Sequence, residues 1–140
     1  MQTNPTILAL DVGAQRIGVA RANTIARIAS PLVTLINDDS IFNEITALIK
    51  SEDVGTLVVG LPRGLEGQET AQTQTIRDFV VQLKQKTDLP VYFQDEALTS
   101  QKAESELESR GKPFSKGDID ALAATYILED FLQDNAGALA

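Results

Sequence analysis

The chain contains no cysteine, no histidine and no tryptophan, and only 5% of its residues are aromatic. Without thiols there is no cysteine nucleophile, zinc–thiolate centre or iron–sulfur cluster. Without imidazole there is no Ser-His-Asp hydrolysis, no histidine acid–base chemistry and no histidine metal ligation. Catalysis, if present, rests on carboxylates, lysine, arginine, hydroxyls and a borrowed ion. Long hydrophobic runs are missing too. The apolar stretch 7–10 stops at Asp11, residues 1–6 carry no positive charge, and no segment fits a signal peptide or a membrane span. A cytoplasmic location without a membrane partner is therefore expected. Positive charge is scarce: 12 Lys and Arg face 20 Asp and Glu, giving a net charge of −8. A sum of that sign argues against a large basic footprint, although a nucleic-acid face is a local property that a global sum does not describe.

What remains is an ordinary globular composition, 43% hydrophobic and 23% charged over 140 residues. A core of that size buries roughly 68% of the unfolded chain's surface, so neither disulfide nor structural metal is needed for stability. No repeat, low-complexity block or interior linker interrupts the chain. One domain is expected over residues 1–133, with 134–140 as a loose tail, as a monomer or a homodimer. Strands are expected at 7–10, at 16–21 as the return arm of a hairpin, and at 28–36, where Pro31 favours an early or edge position. Ile41, Ile45, Leu48 and Ile49 recur at helical spacing. The uninterrupted apolar run 56–60 reads as a strand covered on both faces. A glycine-bearing loop, 61–67, leads to a helix with the inner stripe Ile76, Phe79, Val80 and Leu83. Residues 91–93 read as a further short buried strand, and helices near 99–110 and 116–132 complete the chain. The order βββ-α-β-α-β-α-α predicts a mixed sheet, an antiparallel meander continued by parallel strands with helical crossovers. Ligands of such sheets gather at the carboxyl ends of the parallel strands.

Acidic residues stand at those ends. Asp11 closes the first strand, and Asp95 and Glu96 end the last. On the final helix, a rotation of 100° per residue groups Asp120 with Ala123, Ala124, Ile127 and Phe131. Asp118 lies about 160° away on the polar side, at the right offset to complete a capping box with Ser115. An acid on the inward face of a helix's first turn is costly unless paired or metal-bound. Three carboxylates from separate elements, without histidine, form an oxygen-rich site suited to Mg²⁺ or Mn²⁺, ions that activate water and stabilise the leaving oxygen of a phosphodiester. Each acid also has a plain structural reading: a turn for Asp11, a loop start or cap for Asp95 and Glu96, compensation of the helix dipole for Asp120. Gly60-Leu-Pro-Arg-Gly64 is too sparse for a phosphate loop, but it could present Arg63 to a phosphate.

Four stretches, taken together, resemble the YqgF (RuvX-like) family: Asp11-Val-Gly-Ala-Gln-Arg-Ile-Gly-Val-Ala20, Val58-Val-Gly-Leu-Pro62 with Gly67, Asp95-Glu96, and Gly117-Asp-Ile-Asp-Ala-Leu-Ala-Ala124. They occur in the family's order from about Ile7 to Leu132. The family is associated with Holliday-junction resolution and with maturation of the 5′ end of the 16S rRNA precursor. The resemblance implies an RNase H-like fold and a metal-dependent endonuclease acting on structured RNA or branched DNA. Its acids fall on Asp11, Glu96 and Asp120, as catalytic residues and as ligands for Mg²⁺ or Mn²⁺. This chain carries Gln15 where a basic residue is usual and Ala97 where an arginine usually follows Asp-Glu. Arg16, Arg63 and Lys116, with Lys102 and Lys112, are the cations left to grip nucleic acid. Two other readings start from the same residues. The departures and the −8 charge favour a nucleic-acid- or protein-binding module that keeps the fold but little catalysis, and the Asp-X-Gly hairpin also opens ATP-binding kinase and actin-like folds, whose sites lie between two domains.

Overall fold

In β1 (Thr6–Val12) apolar side chains point alternately to the two sides of a sheet, and both sides are buried. The computed structural model describes residues 5–64, 66–96 and 99–135, with residues 99–101 described at the backbone only. β1 is followed by β2 (Arg16–Asn23), β3 (Ser30–Ile36), α1 (Ile41–Ser51), β4 (Val54–Pro62), α2 (Ala71–Lys84), β5 (Val91–Glu96), α3 (Thr99–Ser109) and α4 (Lys116–Asp134). The sheet order is β3-β2-β1-β4-β5. β1–β2 and β2–β3 pair antiparallel, whereas β1–β4 and β4–β5 pair parallel. This is the mixed sheet expected from the order of elements.

β3, carrying Pro31, is an edge strand, as the proline foretold. β5 departs from expectation. It is the opposite edge and only half-buried, with Tyr92 49% exposed, because no strand pairs beyond it. Asp95 and Glu96 end this strand, as expected. α4 continues to Asp134, with Asn135 capping it, so the ordered helix runs past the expected start of the tail at 134. Residues 136–140 lie outside the described residues.

The two faces of the sheet are covered differently. Leu8, Leu10 and Val12 of β1, with Leu57, Val59 and Leu61 of β4, pack against Ile41 and Ile45 of α1 and Ile76, Phe79, Val80 and Leu83 of α2. The alternate series, Ile7 and Ala9 of β1, Ala20 and Ala22 of β2, and Val58 of β4, packs against Ala124, Ile127, Leu128 and Phe131 of α4. Small residues dominate this second series, so α4 lies close to the strands. A Cβ on Gly18 would sit 1.9 Å from the Asp120 carbonyl oxygen, and one on Gly60 would sit 2.5 Å from Ile127 Cδ1. α4 therefore crosses the sheet diagonally. Its start rests on β3, where Thr34 Oγ1 donates to the Gly117 carbonyl at 2.6 Å. Its middle passes over Gly60, and its end meets β5 through Tyr92–Phe131 ring packing at 5.7 Å. α3 packs on α4 through Ala103 and Leu107 against Leu122, Ala123 and Tyr126.

Helix starts follow side-chain chemistry. Thr70 and Thr73 form a capping box at α2, and Ser115 and Asp118 form the expected one at α4. Among the described residues no helix is long and apolar enough to cross a membrane.

Candidate active site

Asp11 occupies the next position in the Ile7–Ala9 series and so faces α4 rather than α1 and α2. In the β1–β2 ladder it lies directly opposite Gly18, the residue on which the first turn of α4 rests. The absent side chain at 18 is what lets Asp120 descend to the level of Asp11. The result is a carboxylate pair beneath the first turn of α4. Burial raises the Asp11 pKa to about 6, and the negative charge of Asp120 adds to the rise. No N–H or O–H among the described residues donates to the Asp11 carboxylate.

Asp120 has a cation of its own. Arg16, at the start of β2, donates from Nε to Asp120 Oδ2 at 2.6 Å, and the two side chains are 32% and 18% exposed. Arg16 was a candidate for contact with nucleic acid, but here its charge is directed at a site acid. It fixes the orientation of Asp120 and offsets one of two neighbouring negative charges.

Glu96 faces the same side of the sheet but stands apart. β4 lies between β1 and β5, and α4 has moved past Asp120 by the time it reaches β5. The neighbours of Glu96 are Asp130 and Asp134 of α4, with Lys102 of α3. Burial pushes its pKa up to about 8, helped by the Asp130 carboxyl beside it and by Asp134, while Lys102 pulls it partly back. Among the described residues, Glu96 Oε1 is buried without a hydrogen-bond partner. Lys102 itself lies over the Tyr126 ring, 4.4 Å from its centroid. Next to this group, Gln94 Nε2 donates to Asp134 Oδ2 at 2.8 Å.

The expected triad is therefore divided. Asp11 and Asp120 come together at the start of α4, Glu96 joins a second acidic group at its end, and among the described residues no three acids are close enough to share one metal ion. Sequence reasoning missed Asp130 and Asp134, although the wheel that selected Asp120 puts them about 80° and 40° away on the flank of Ala123. The donor set still fits a hard divalent cation. Asp11 and Asp120 are oxygen donors held together against their own repulsion.

The remaining candidates are spread around this edge. Arg63 is engaged, with Nε 3.3 Å from Asp95 Oδ1 and Nη1 3.6 Å from Glu69 Oε2, and so ties the loop after β4 to the end of β5. Lys116 is exposed at the first position of α4, and Lys112 is exposed in the turn before it. Asp118 donates no ligand to the pair. Its Oδ2 accepts from the Ser115 backbone N–H at 2.9 Å. The backbone carbonyl of Gln15 accepts from the Asn37 N–H at 2.9 Å. Ala97 lies outside the described residues.

Comparison with known proteins bears on both fold and family. Thermus thermophilus RuvC superimposes with a TM-score of 0.56 at 16% identity, over 94% of this chain and 96% of that one. The same protein in complex with a Holliday junction substrate gives 0.54 at 15% identity. The fold is thus RNase H-like, as the resemblance implied. A protein from Haemophilus ducreyi named "Putative pre-16S rRNA nuclease" is 40% identical over 134 residues, covering 93% of this chain and 97% of its own. One of the same name from Sulfurihydrogenibium sp. is 39% identical over 128 residues, covering 90% and 88%. The family model described as RuvX, Holliday junction resolvase, matches residues 5–134. With the motifs of the sequence set on one sheet edge and relatives matched over nearly their whole length, the chain belongs to the RuvX family.

Proposed function

We propose that this chain is a divalent-metal-dependent endonuclease that hydrolyses phosphodiester bonds in structured nucleic acid, at the 5′ end of a 16S rRNA precursor or in a four-way DNA junction. The observation that carries the reading is the Asp11–Asp120 pair, two carboxylates set beneath the first turn of α4 by Gly18. Such a pair is a cost to the fold unless a cation completes it. Asp11 and Asp120 would hold Mg²⁺ or Mn²⁺, while Glu96, the third donor that the family resemblance implies, stands apart from them. Bound there, such an ion would supply Lewis-acid chemistry, polarising a phosphodiester and offsetting negative charge. The protein's part is to fix the two carboxylates: Arg16 orients Asp120, the β1 ladder orients Asp11, and the apolar underside of α4 limits water beneath them. Work on ribosomal RNA would place the protein in the cytoplasm.

The test is incubation of the purified chain, with and without Mn²⁺, on a precursor 16S rRNA fragment and on a four-way DNA junction. Cleavage of either that requires the metal and disappears in Asp11→Asn supports the reading. A second reading, a nucleic-acid-binding module with little catalysis, is favoured by the separation of Glu96 from Asp11 and Asp120. Tight binding of the same substrates without metal-dependent cleavage would select it.

A further inference from the structure

The chain's negative charge is unevenly spread. Residues 12–37 contain Arg16, Arg21 and Arg27 and no acid, and residues 109–117 contain Arg110, Lys112 and Lys116 and no acid. These two segments hold half of the 12 cations and none of the 20 acids. They also meet in space. The second runs from the end of α3 into the start of α4, and its Gly117 carbonyl accepts from Thr34 of β3.

Where they meet, the surface is concave. A cavity of about 400 Å³ has Pro31, Leu107, Phe114 and Leu122 among its apolar lining, with Arg110 and Lys112 also bordering it. That volume falls within the range of about 300–1,000 Å³ typical of small-molecule sites. The acid on its border, Asp118, has an oxygen committed to the Ser115 N–H. The three arginines of the first segment are engaged, Arg16 with Asp120, Arg21 with Glu52 and Arg27 with the Leu132 carbonyl. Arg110 is held loosely, 53% exposed and 3.1 Å from Glu106. Lys112 and Lys116 have no carboxylate within ion-pair distance among the described residues, and both are exposed. An apolar floor with a cationic border matches a nucleotide, whose base stacks on apolar and aromatic surface while its phosphate meets lysine.

We infer that the turn between α3 and α4 is a docking surface for single-stranded nucleic acid, with Lys112 and Lys116 on the phosphates and one unpaired base in the cavity beside Phe114. The inference rests on the nucleic-acid reading above and adds to it where the strand lies. Asp118 borders the cavity and Asp120 faces the sheet, so the first turn of α4 separates the docking surface from the carboxylate pair. A strand crossing that turn reaches both, with unpaired nucleotides on the cavity side.

The test measures binding of a fluorescein-labelled 12-nucleotide single strand, and of a duplex of the same length, by anisotropy in EDTA across a salt series. Lys112→Glu/Lys116→Glu should weaken single-strand binding at least about tenfold and reduce the slope of log affinity against log salt by about 1.4, since each phosphate neutralised on a single strand contributes about 0.7. Lys84→Glu/Lys86→Glu makes the same change in net charge at the far end of α2 and should alter affinity less than about twofold. Phe114→Leu, which keeps an apolar side chain, should weaken the single strand and not the duplex. Equal losses from both charge reversals, no loss from Lys112→Glu/Lys116→Glu, or duplex binding as tight as the single strand would each overturn the inference. Binding is read without metal. A protein that shows this pattern but never cleaves keeps the docking surface and loses the nuclease reading, whereas one that cleaves with Lys112 and Lys116 irrelevant does the reverse.

Discussion

The two ends of α4 hold the same chemical groups in opposite circumstances. At its start, Asp120 and Asp11 lie together with Arg16 bonded to one of them, and the close fit depends on a glycine. At its end, Glu96 meets Asp130 and Asp134 with Lys102 as a counter-charge, and among the described residues no donor reaches its buried Oε1. The acidities follow the difference: the Asp11 pKa rises to about 6 and that of Glu96 to about 8. In both cases burial is the largest cause, but like charge adds more causes at Glu96, where two acids press on one. At neutral pH Asp11 is therefore mostly ionised, whereas Glu96 mostly keeps its proton. One helix thus borders a close carboxylate pair at its start and, some ten residues further on, an acidic cluster around Glu96.

The largest effect separates these roles by activity. Asp120→Asn removes a donor from the pair and should reduce metal-dependent cleavage at least about 1,000-fold, the scale of several kcal/mol of transition-state stabilisation. Asp130→Asn, at the other end, should leave cleavage within about tenfold. Rates with Mn²⁺ on one substrate check both. If Asp130→Asn is the more damaging change, the ligand pair belongs to the end of α4 and the assignment is reversed.

The next effect tests the close approach at the start of the helix. A methyl group at residue 18 meets backbone, at 1.9 Å from the Asp120 carbonyl oxygen, and backbone cannot rotate away. Gly18→Ala should cost about 3 kcal/mol, the upper part of the usual range for overpacking, and should reduce cleavage by lifting Asp120 away from Asp11. Gly60→Ala meets only the flexible end of Ile127 and should cost less. Urea denaturation of the two variants gives the ranking, and equal costs would mean that α4 does not hinge on Gly18.

Titration offers a smaller effect with a definite sign. Both acids have folded pKa values above their ordinary ones, 3.8 to about 6 for Asp11 and 4.5 to about 8 for Glu96. The folded state therefore binds more protons than the unfolded state between about pH 4 and 8, and metal-free stability should fall as pH rises through that window. The advantage is fully present below the unfolded values and lost above the folded ones. Asp120→Asn should flatten the lower part of the fall, and Asp130→Asn should flatten the upper part. Melting temperatures in EDTA from pH 4.5 to 8.5 check this. A melting temperature that climbs steadily across the window would contradict both shifts.

The sequence made the elements legible because alternation and helical spacing are local properties. The Ile76, Phe79, Val80 and Leu83 stripe, the edge position of Pro31 and the Ser115–Asp118 cap all follow from neighbours within a few residues. Asp11 and Asp120 were legible because strand period and helix wheel each assign a face, and both faces meet at Gly18. The position of Glu96 was not legible. Its distance from Asp11 depends on β4 lying between β1 and β5 and on the diagonal of α4, which small residues at 18, 20 and 60 permit. The ion pairs of Arg63 were not legible for a similar reason, since Asp95 and Glu69 reach it only after β4 and β5 pair.

The smallest effect completes the comparison within a single helical turn. Asp118 and Asp120 are two residues apart and point to opposite sides of α4. Asp118 accepts from the Ser115 N–H, and its own N–H donates to Ser115 Oγ at 3.2 Å. Asparagine at 118 keeps an acceptor oxygen for the Ser115 N–H but loses the negative charge that favours the start of a helix. Asp118→Asn should therefore cost only about 0.5–1 kcal/mol of stability and leave the cleavage rate unchanged. Asp120→Asn should show the opposite pattern: cleavage is lost, while metal-free stability holds or rises because Asp11 no longer faces a second charge. Melting temperature without metal and cleavage with Mn²⁺, measured on both variants, decide it. An inactive Asp118→Asn beside an active Asp120→Asn would show that the face of α4 turned toward Asp11 is not the one that carries the chemistry.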